Sequence, residues 1–232
     1  SLSNTDVIFY NGLHLEAKLG DILHKLSNRR KVYAVANHID KKLLIGDTEY
    51  KNQFDPHIWF DISLWMKALE KVKDVFIEID SKHKNFYLKN YQESLKHMKT
   101  LEKWVKKTLA IIPKEKRILI TAHDAFNYFG KAYGFEVLGI QGISTVAEAG
   151  AKNIKELADL IAKKKVPAIF VETSVSQSTI KALQKAVISR GFKLKIGGQL
   201  FSDALGNLNS NQGSYIGMFK HNVKTIVRGL NN

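Results

Sequence analysis

KNFYLKNYQESLKHMKTLEKWVKKTLAIIP, residues 84–113, decides the architecture. Leu88, Tyr91, Leu95, Met98, Leu101, Val105 and Leu109 recur every three or four residues until Pro113, which is the spacing of one buried helical face. The pattern predicts a helix of about 25 residues, roughly 40 Å long at 1.5 Å per residue. That exceeds the usual globular helix. It is either a coiled-coil arm or a spine between two lobes. Strand–helix units on both sides of it favour the spine.

Upstream, Val7–Tyr10 reads as a short apolar strand, Asn11-Gly12 as a turn, and Leu13–Leu26 as a helix. Val32–Ala36 is a weaker apolar run. Residues 42–55 read as loop, with a short strand over Leu43–Ile45 as an option. Asp55-Pro56-His57 then opens a helix on which Trp65, Leu69, Val72, Phe76 and Ile79 share a face, interrupted at Asp80-Ser81. Downstream of Pro113 strand and helix alternate. Strands are expected at 117–121, 135–140, 167–171 and 193–196, and helices at 125–133, 153–164, 178–190 and 215–230. Alternation of this kind builds a parallel sheet with helices on both faces. The expected fold is therefore α/β: two lobes, each a mainly parallel sheet flanked by helices, joined by one long rigid spine helix. The lobes are placed at 1–83 and 113–232, with the spine at 84–112.

Composition narrows the chemistry. The chain has 232 residues, 44% of them hydrophobic, and only 3 prolines, an ordinary globular balance. No apolar run approaches the roughly 18 residues of a membrane span. No signal peptide or lipid-attachment cysteine is visible, and the chain reaches its first strand almost at once, so a mature, trimmed or fragmentary product is expected. The absence of cysteine excludes disulfides, thiolate metal sites and cysteine nucleophiles. Any metal must be held by His, Asp and Glu. The formal charge is +14 with pI near 9.7. The excess is mostly lysine and dispersed; its densest runs, Lys103–Lys107 and Lys163–Lys165, read as solvated helix faces and ends. No aromatic-interleaved basic motif accompanies them, so nucleic acid is not an expected partner.

The histidines are at 14, 24, 38, 57, 83, 97, 123 and 221, without an HExxH motif. Position is what distinguishes them. His14 and His123 follow predicted strands, His57 sits in a loop that opens a helix, and Asp203 follows Leu200-Phe201 at another strand exit. In open α/β sheets ligands bind outside the carboxyl ends of the strands, and three imidazoles with one carboxylate make a complete shell for a divalent metal. A histidine at a strand exit is also commonly a capped or solvent-exposed residue, and the pattern by itself leaves both readings open. Asp55 and Asp124 are candidates to orient His57 and His123 through their second ring N–H; N-capping of the following helices is the competing role. His24, His83, His97 and His221 read as surface residues, and His38 as a loop residue. Glu172, ending a strand, reads as structural. There is no GxSxG elbow, P-loop or dinucleotide fingerprint.

Four segments carry a family resemblance: Phe9–Glu16 (FYNGLHLE), Asp55–Trp59 (DPHIW), Thr121–Phe126 (TAHDAF) and Phe201–Gly206 (FSDALG). With Gly139–Thr145, Glu148, Gly150 and Ile169–Glu172, they resemble the TroA-like, cluster A-I substrate-binding proteins of zinc, manganese and iron ABC importers. The resemblance covers nearly the whole chain. It implies two α/β lobes joined by a rigid helix, with one divalent metal (Zn2+ or Mn2+, with Fe2+ a further option) held between them as transported ligand. It carries the metal ligands onto His14, His57, His123 and Asp203, and makes the chain a monomeric, periplasmic or lipid-anchored binding protein whose partner is a membrane permease. It implies no enzyme; a metal-dependent hydrolase built on a three-His site is the alternative. Members used mainly for manganese often carry a carboxylate where this chain has His123, and the His-rich loop of many zinc members is absent. Family members have further strand–helix elements before the segment matching Asp6–Tyr10, so the natural protein is expected to be longer. Protonation of the histidines is expected to weaken metal binding below about pH 6.

Overall fold

The structure, a computed structural model, describes residues 5–46, 52–143 and 150–231. The resemblance residues Ser144, Thr145 and Glu148, and part of the expected loop at 42–55, lie outside the described residues. The chain divides into two compact units, Ser1–Lys99 and Thr100–Asn232.

In the first unit, β1 (Val7–Tyr10) pairs in parallel with β2 (Lys31–Ala34), Ile8 opposite Val32. The intervening helix starts later than its hydrophobic spacing suggests. A single 3-10 turn, Ala17–Leu19, leads into α1 (Gly20–Ser27). The reason lies in the side chain of Glu16, which folds back to accept from the Asn11 and Gly12 backbone N–H groups at 2.7 and 3.0 Å. This holds Gly12, Leu13 and His14 in the left-handed region, with φ of 87°, 53° and 66°. The Leu43–Ile45 strand is likewise replaced, by a 3-10 turn over Lys41–Leu43. Asp40 caps it, accepting from the Lys42 N–H at 3.0 Å. α2 (Ile62–Ile79) begins at Asp61, which accepts from the Ser63 and Leu64 N–H groups. α3 (Lys84–Leu109) is the long helix expected from its apolar stripe, and the boundary between the units falls within it.

The second unit is built on parallel strands. β3 (Ile118–His123) pairs with β4 (Glu136–Gln141), and β5 (Ala168–Glu172) with β6 (Lys195–Leu200). β3 and β5 lie side by side. β3 and β5 are buried along their whole length, as central parallel strands covered on both faces must be. On one face Ile120, Ile169 and Val171 pack with Ile161 of α5 (Ala151–Lys164) and Ile180, Leu183 and Val187 of α6 (Gln177–Ile188). An aromatic cluster adds to the core: Phe129 of α4 (Asn127–Tyr133) contacts Phe135 and Phe219, the latter on α7 (Tyr215–Leu230). β6 runs four residues beyond the expected Ile196, through Gly197 and Gly198. A Cβ at Gly197 would come within 2.7 Å of the buried Phe170 ring, so glycine is what lets β6 approach β5 this closely.

Candidate metal site

The carboxyl ends of the strands gather the titratable groups of each unit. In the first unit, Asp55 and His57 are both buried, 0% and 2% exposed. Asp55 does not cap α2; Asp61 does. Its Oδ1 instead accepts from the His57 backbone N–H at 2.9 Å and lies 2.7 Å from His57 Nδ1. A carboxylate on Nδ1 places the proton there and leaves the Nε2 lone pair for an electrophile. The Trp59 ring stands edge-on to the imidazole at 5.2 Å, which restricts its rotation. Asn11, at the exit of β1, donates through Nδ2 to the Pro56 carbonyl at 3.0 Å and so ties this loop to the strand end.

In the second unit, His123 is fully buried at the end of β3. Glu172, at the end of β5, takes hold of it twice. One carboxylate oxygen accepts from the His123 backbone N–H at 2.9 Å, and the other lies 2.7 Å from Nδ1. On the opposite side of the ring, His123 Nε2 faces Asp203 Oδ2 at 3.4 Å. The Asp203 side chain is 27% exposed, whereas the imidazole is fully buried. The segment carrying Asp203 is fixed by Asn222 of α7, which accepts from Phe201 N–H at 3.0 Å and donates to the Phe201 carbonyl at 2.7 Å. Ser202 and Ser174 hydroxyls meet at 2.6 Å beside it.

The 3.4 Å separation is informative. A charge-assisted N–H···O contact closes to about 2.7–2.9 Å. Two donors at about 2.1 Å from one tetrahedral ion stand roughly 3.4 Å apart. A 3.4 Å pair can serve as two donors to one ion or as a long hydrogen bond. Burial by itself would lower the His123 pKa, but hydrogen bonding to Asp203 and Glu172, together with their charge, lifts it from 6.5 to about 10. Two carboxylates flank the ring and favour its charged form.

His14 lies just past β1 as anticipated, but it is exposed, on the left-handed turn that Glu16 imposes, and it lines a cavity of about 510 Å³ with Tyr10, Glu16 and His24. Among the described residues it joins no cluster of three or more His, Asp or Glu side chains. Asp124 does not stand behind His123; its backbone N–H donates to the Gly142 carbonyl, and the carboxylate on His123 Nδ1 is that of Glu172. Glu172 was passed over because an acid ending an apolar strand has no local partner in sequence, His123 being 49 residues away. His24, His38, His83 and His97 are exposed; His221 is half-buried, its Nε2 3.0 Å from the Gln199 carbonyl. No helix among the described residues is long and apolar enough to cross a membrane.

Comparison with known proteins points the same way. The family model described as ZnuA, zinc-uptake complex component A, periplasmic, matches residues 1–229. The manganese-binding lipoprotein MntA of Bacillus subtilis is 43% identical over 229 residues, which cover 99% of this chain and 74% of that protein. The zinc-binding protein TroA of Treponema pallidum is 43% identical over 231 residues, again 99% of this chain and 74% of that protein. The solved structure of the latter, a periplasmic zinc-binding protein, matches with a TM-score of 0.95 over 99% of this chain and 82% of that chain.

Proposed function

The chain belongs to the family of periplasmic zinc-uptake component A proteins, and from that premise we propose that it captures one divalent transition metal outside the cytoplasm and delivers it to an ABC permease in the membrane. The observation that carries this reading is His123, clamped from behind by Glu172 and faced by Asp203 at ligand spacing. The proposed donors include His57, His123 and Asp203, each offering one atom. The family motif that carries His14 adds it as the fourth proposed donor. Glu172 and Asp55 orient the two imidazoles.

The protein acts as a monomer, periplasmic or lipid-anchored at the outer face of a membrane, and nucleic acid is not a partner. Two imidazoles favour Zn2+ over Mn2+ and Fe2+ by intrinsic affinity. The names of the relatives include both zinc- and manganese-binding proteins. The metallohydrolase reading has no support, since the family and its named relatives are transport components rather than enzymes. Metal analysis of protein purified without chelator, followed by competition between Zn2+ and Mn2+, tests the proposal. One equivalent of metal per chain, with zinc displacing manganese, is the expected result; a chain that takes up no divalent metal contradicts it.

A further inference from the structure

The second unit is polar in the literal sense. Its parallel strands end together at His123, Glu172 and Leu200, so they also begin together at the opposite edge. There the residues leading into β3, β5 and β6 are basic. Lys114 and Lys116 precede β3, Lys163 and Lys165 precede β5, and Lys193 and Lys195 lead into β6. All six are exposed, and none forms an ion pair among the described residues. The acids nearest in sequence do little to offset them. Glu115 stands alone between Lys114 and Lys116, and Glu136 is taken by Lys164 at 2.6 Å.

The same edge exposes apolar side chains. Ile111, just before Pro113, is 57% exposed, Ile188 at the end of α6 is 53%, and Ile196 at the start of β6 is 38%. Single exposed apolar residues are ordinary. Three isoleucines interspersed with unpaired lysines at one end of a sheet are the combination that suits an anionic lipid interface, where apolar tips enter the headgroup layer and ammonium groups meet phosphates.

We infer that the edge of the second unit where its strands begin docks on anionic phospholipid headgroups. The choice of lipid rests on the proposed place of the protein beside a membrane; the surface itself uses neither the metal donors nor the permease. Docking by this edge turns the carboxyl edge, with His123 and Asp203, away from the bilayer and toward the medium from which metal is loaded. Each lysine near an anionic leaflet is worth roughly fivefold in binding, and the attraction fades as added salt shortens the screening length from about 10 to about 3 Å.

The test is co-sedimentation of the full chain with vesicles of phosphatidylcholine alone or with about 30% phosphatidylglycerol. Binding to the anionic vesicles should exceed that to the neutral ones by at least about tenfold at low salt, and collapse near 1 M salt. The variant Lys114→Glu/Lys163→Glu/Lys193→Glu should lose at least about tenfold. A control of equal charge change at the other ends of α5 and α6, Lys152→Glu/Lys155→Glu/Lys181→Glu, should stay within about twofold of wild type. Ile111→Ser/Ile188→Ser, which alters no charge, should also weaken binding and covers the case in which the first variant does not fold. Equal losses in the lysine variant and its control, or no preference for anionic vesicles, overturn the inference. A parallel zinc titration of each variant, expected to match wild type, separates failure of this surface from failure of the metal site.

Discussion

Replacing Glu172 by Gln probes the device behind His123, and two opposed effects set its outcome. The carboxylate uses both oxygens, one on the His123 backbone N–H and one facing Nδ1. Glutamine offers a single acceptor oxygen, so one buried donor loses its partner, at about 1–3 kcal/mol. Loss of the carboxylate behind a metal-bound imidazole typically costs about 10–100-fold in affinity. Against that, Glu172 helps hold the His123 pKa at about 10 in the metal-free protein. At pH 7 the metal competes with the proton that the flanking carboxylates favour on the ring. The variant relieves part of this competition. pH separates the two effects. In the wild type, log K for zinc should climb by about one unit per pH unit between pH 6 and 8, because one proton leaves as the metal arrives. In the variant the slope should be shallower, so its deficit is small near pH 6 and approaches the full 10–100-fold by about pH 9. Zinc titration against a competing chelator across this range measures both curves. Parallel curves, or affinities within about twofold throughout, would refute the reasoning.

Other consequences follow from the same geometry. Asp55→Asn should leave the fold intact by circular dichroism but cut zinc affinity by about tenfold, since a neutral amide oxygen accepts from Nδ1–H more weakly than a carboxylate and leaves the imidazole a poorer ligand. Gly12→Ala places a Cβ 2.4 Å from Asn37 Oδ1 at φ 87°. It should cost at least about 1–2 kcal/mol, a fall of several degrees in thermal midpoint. The stability of the metal-free protein carries a sign that can be checked. His123 has a folded pKa raised above its ordinary 6.5, so its contribution is fully present below about 6.5 and is lost as pH rises through about 10. Urea unfolding in chelator should show the wild type losing a few kcal/mol between pH 6.5 and 10 relative to His123→Gln, and equal changes in the two proteins would contradict this.

Much of the fold is legible in the chain because its periodicities are strong. The stripe from Leu88 to Leu109 marks α3, and the final helix has the expected bounds, Tyr215–Leu230. The departures have local causes that hydrophobic spacing does not carry. Glu16 bends the start of the first helix into a left-handed turn, Asp40 caps a 3-10 turn where a strand was an option, and Gly197 lets β6 continue against Phe170. The site was legible to the same degree. Strand exits and motifs single out His57, His123 and Asp203. They also single out His14, which sits on an exposed left-handed turn. Glu172 was beyond reach, because its meaning appears only when β3 and β5 lie side by side.

Zinc titration by calorimetry of the wild type, His14→Ala and His123→Ala tests the central claim most directly. The account predicts one equivalent bound by the wild type, a loss of at least about tenfold for His14→Ala, and a loss of at least about a hundredfold for His123→Ala, beyond the 10–100-fold that loss of an orienting carboxylate costs. Unchanged stoichiometry and affinity in His123→Ala would contradict it.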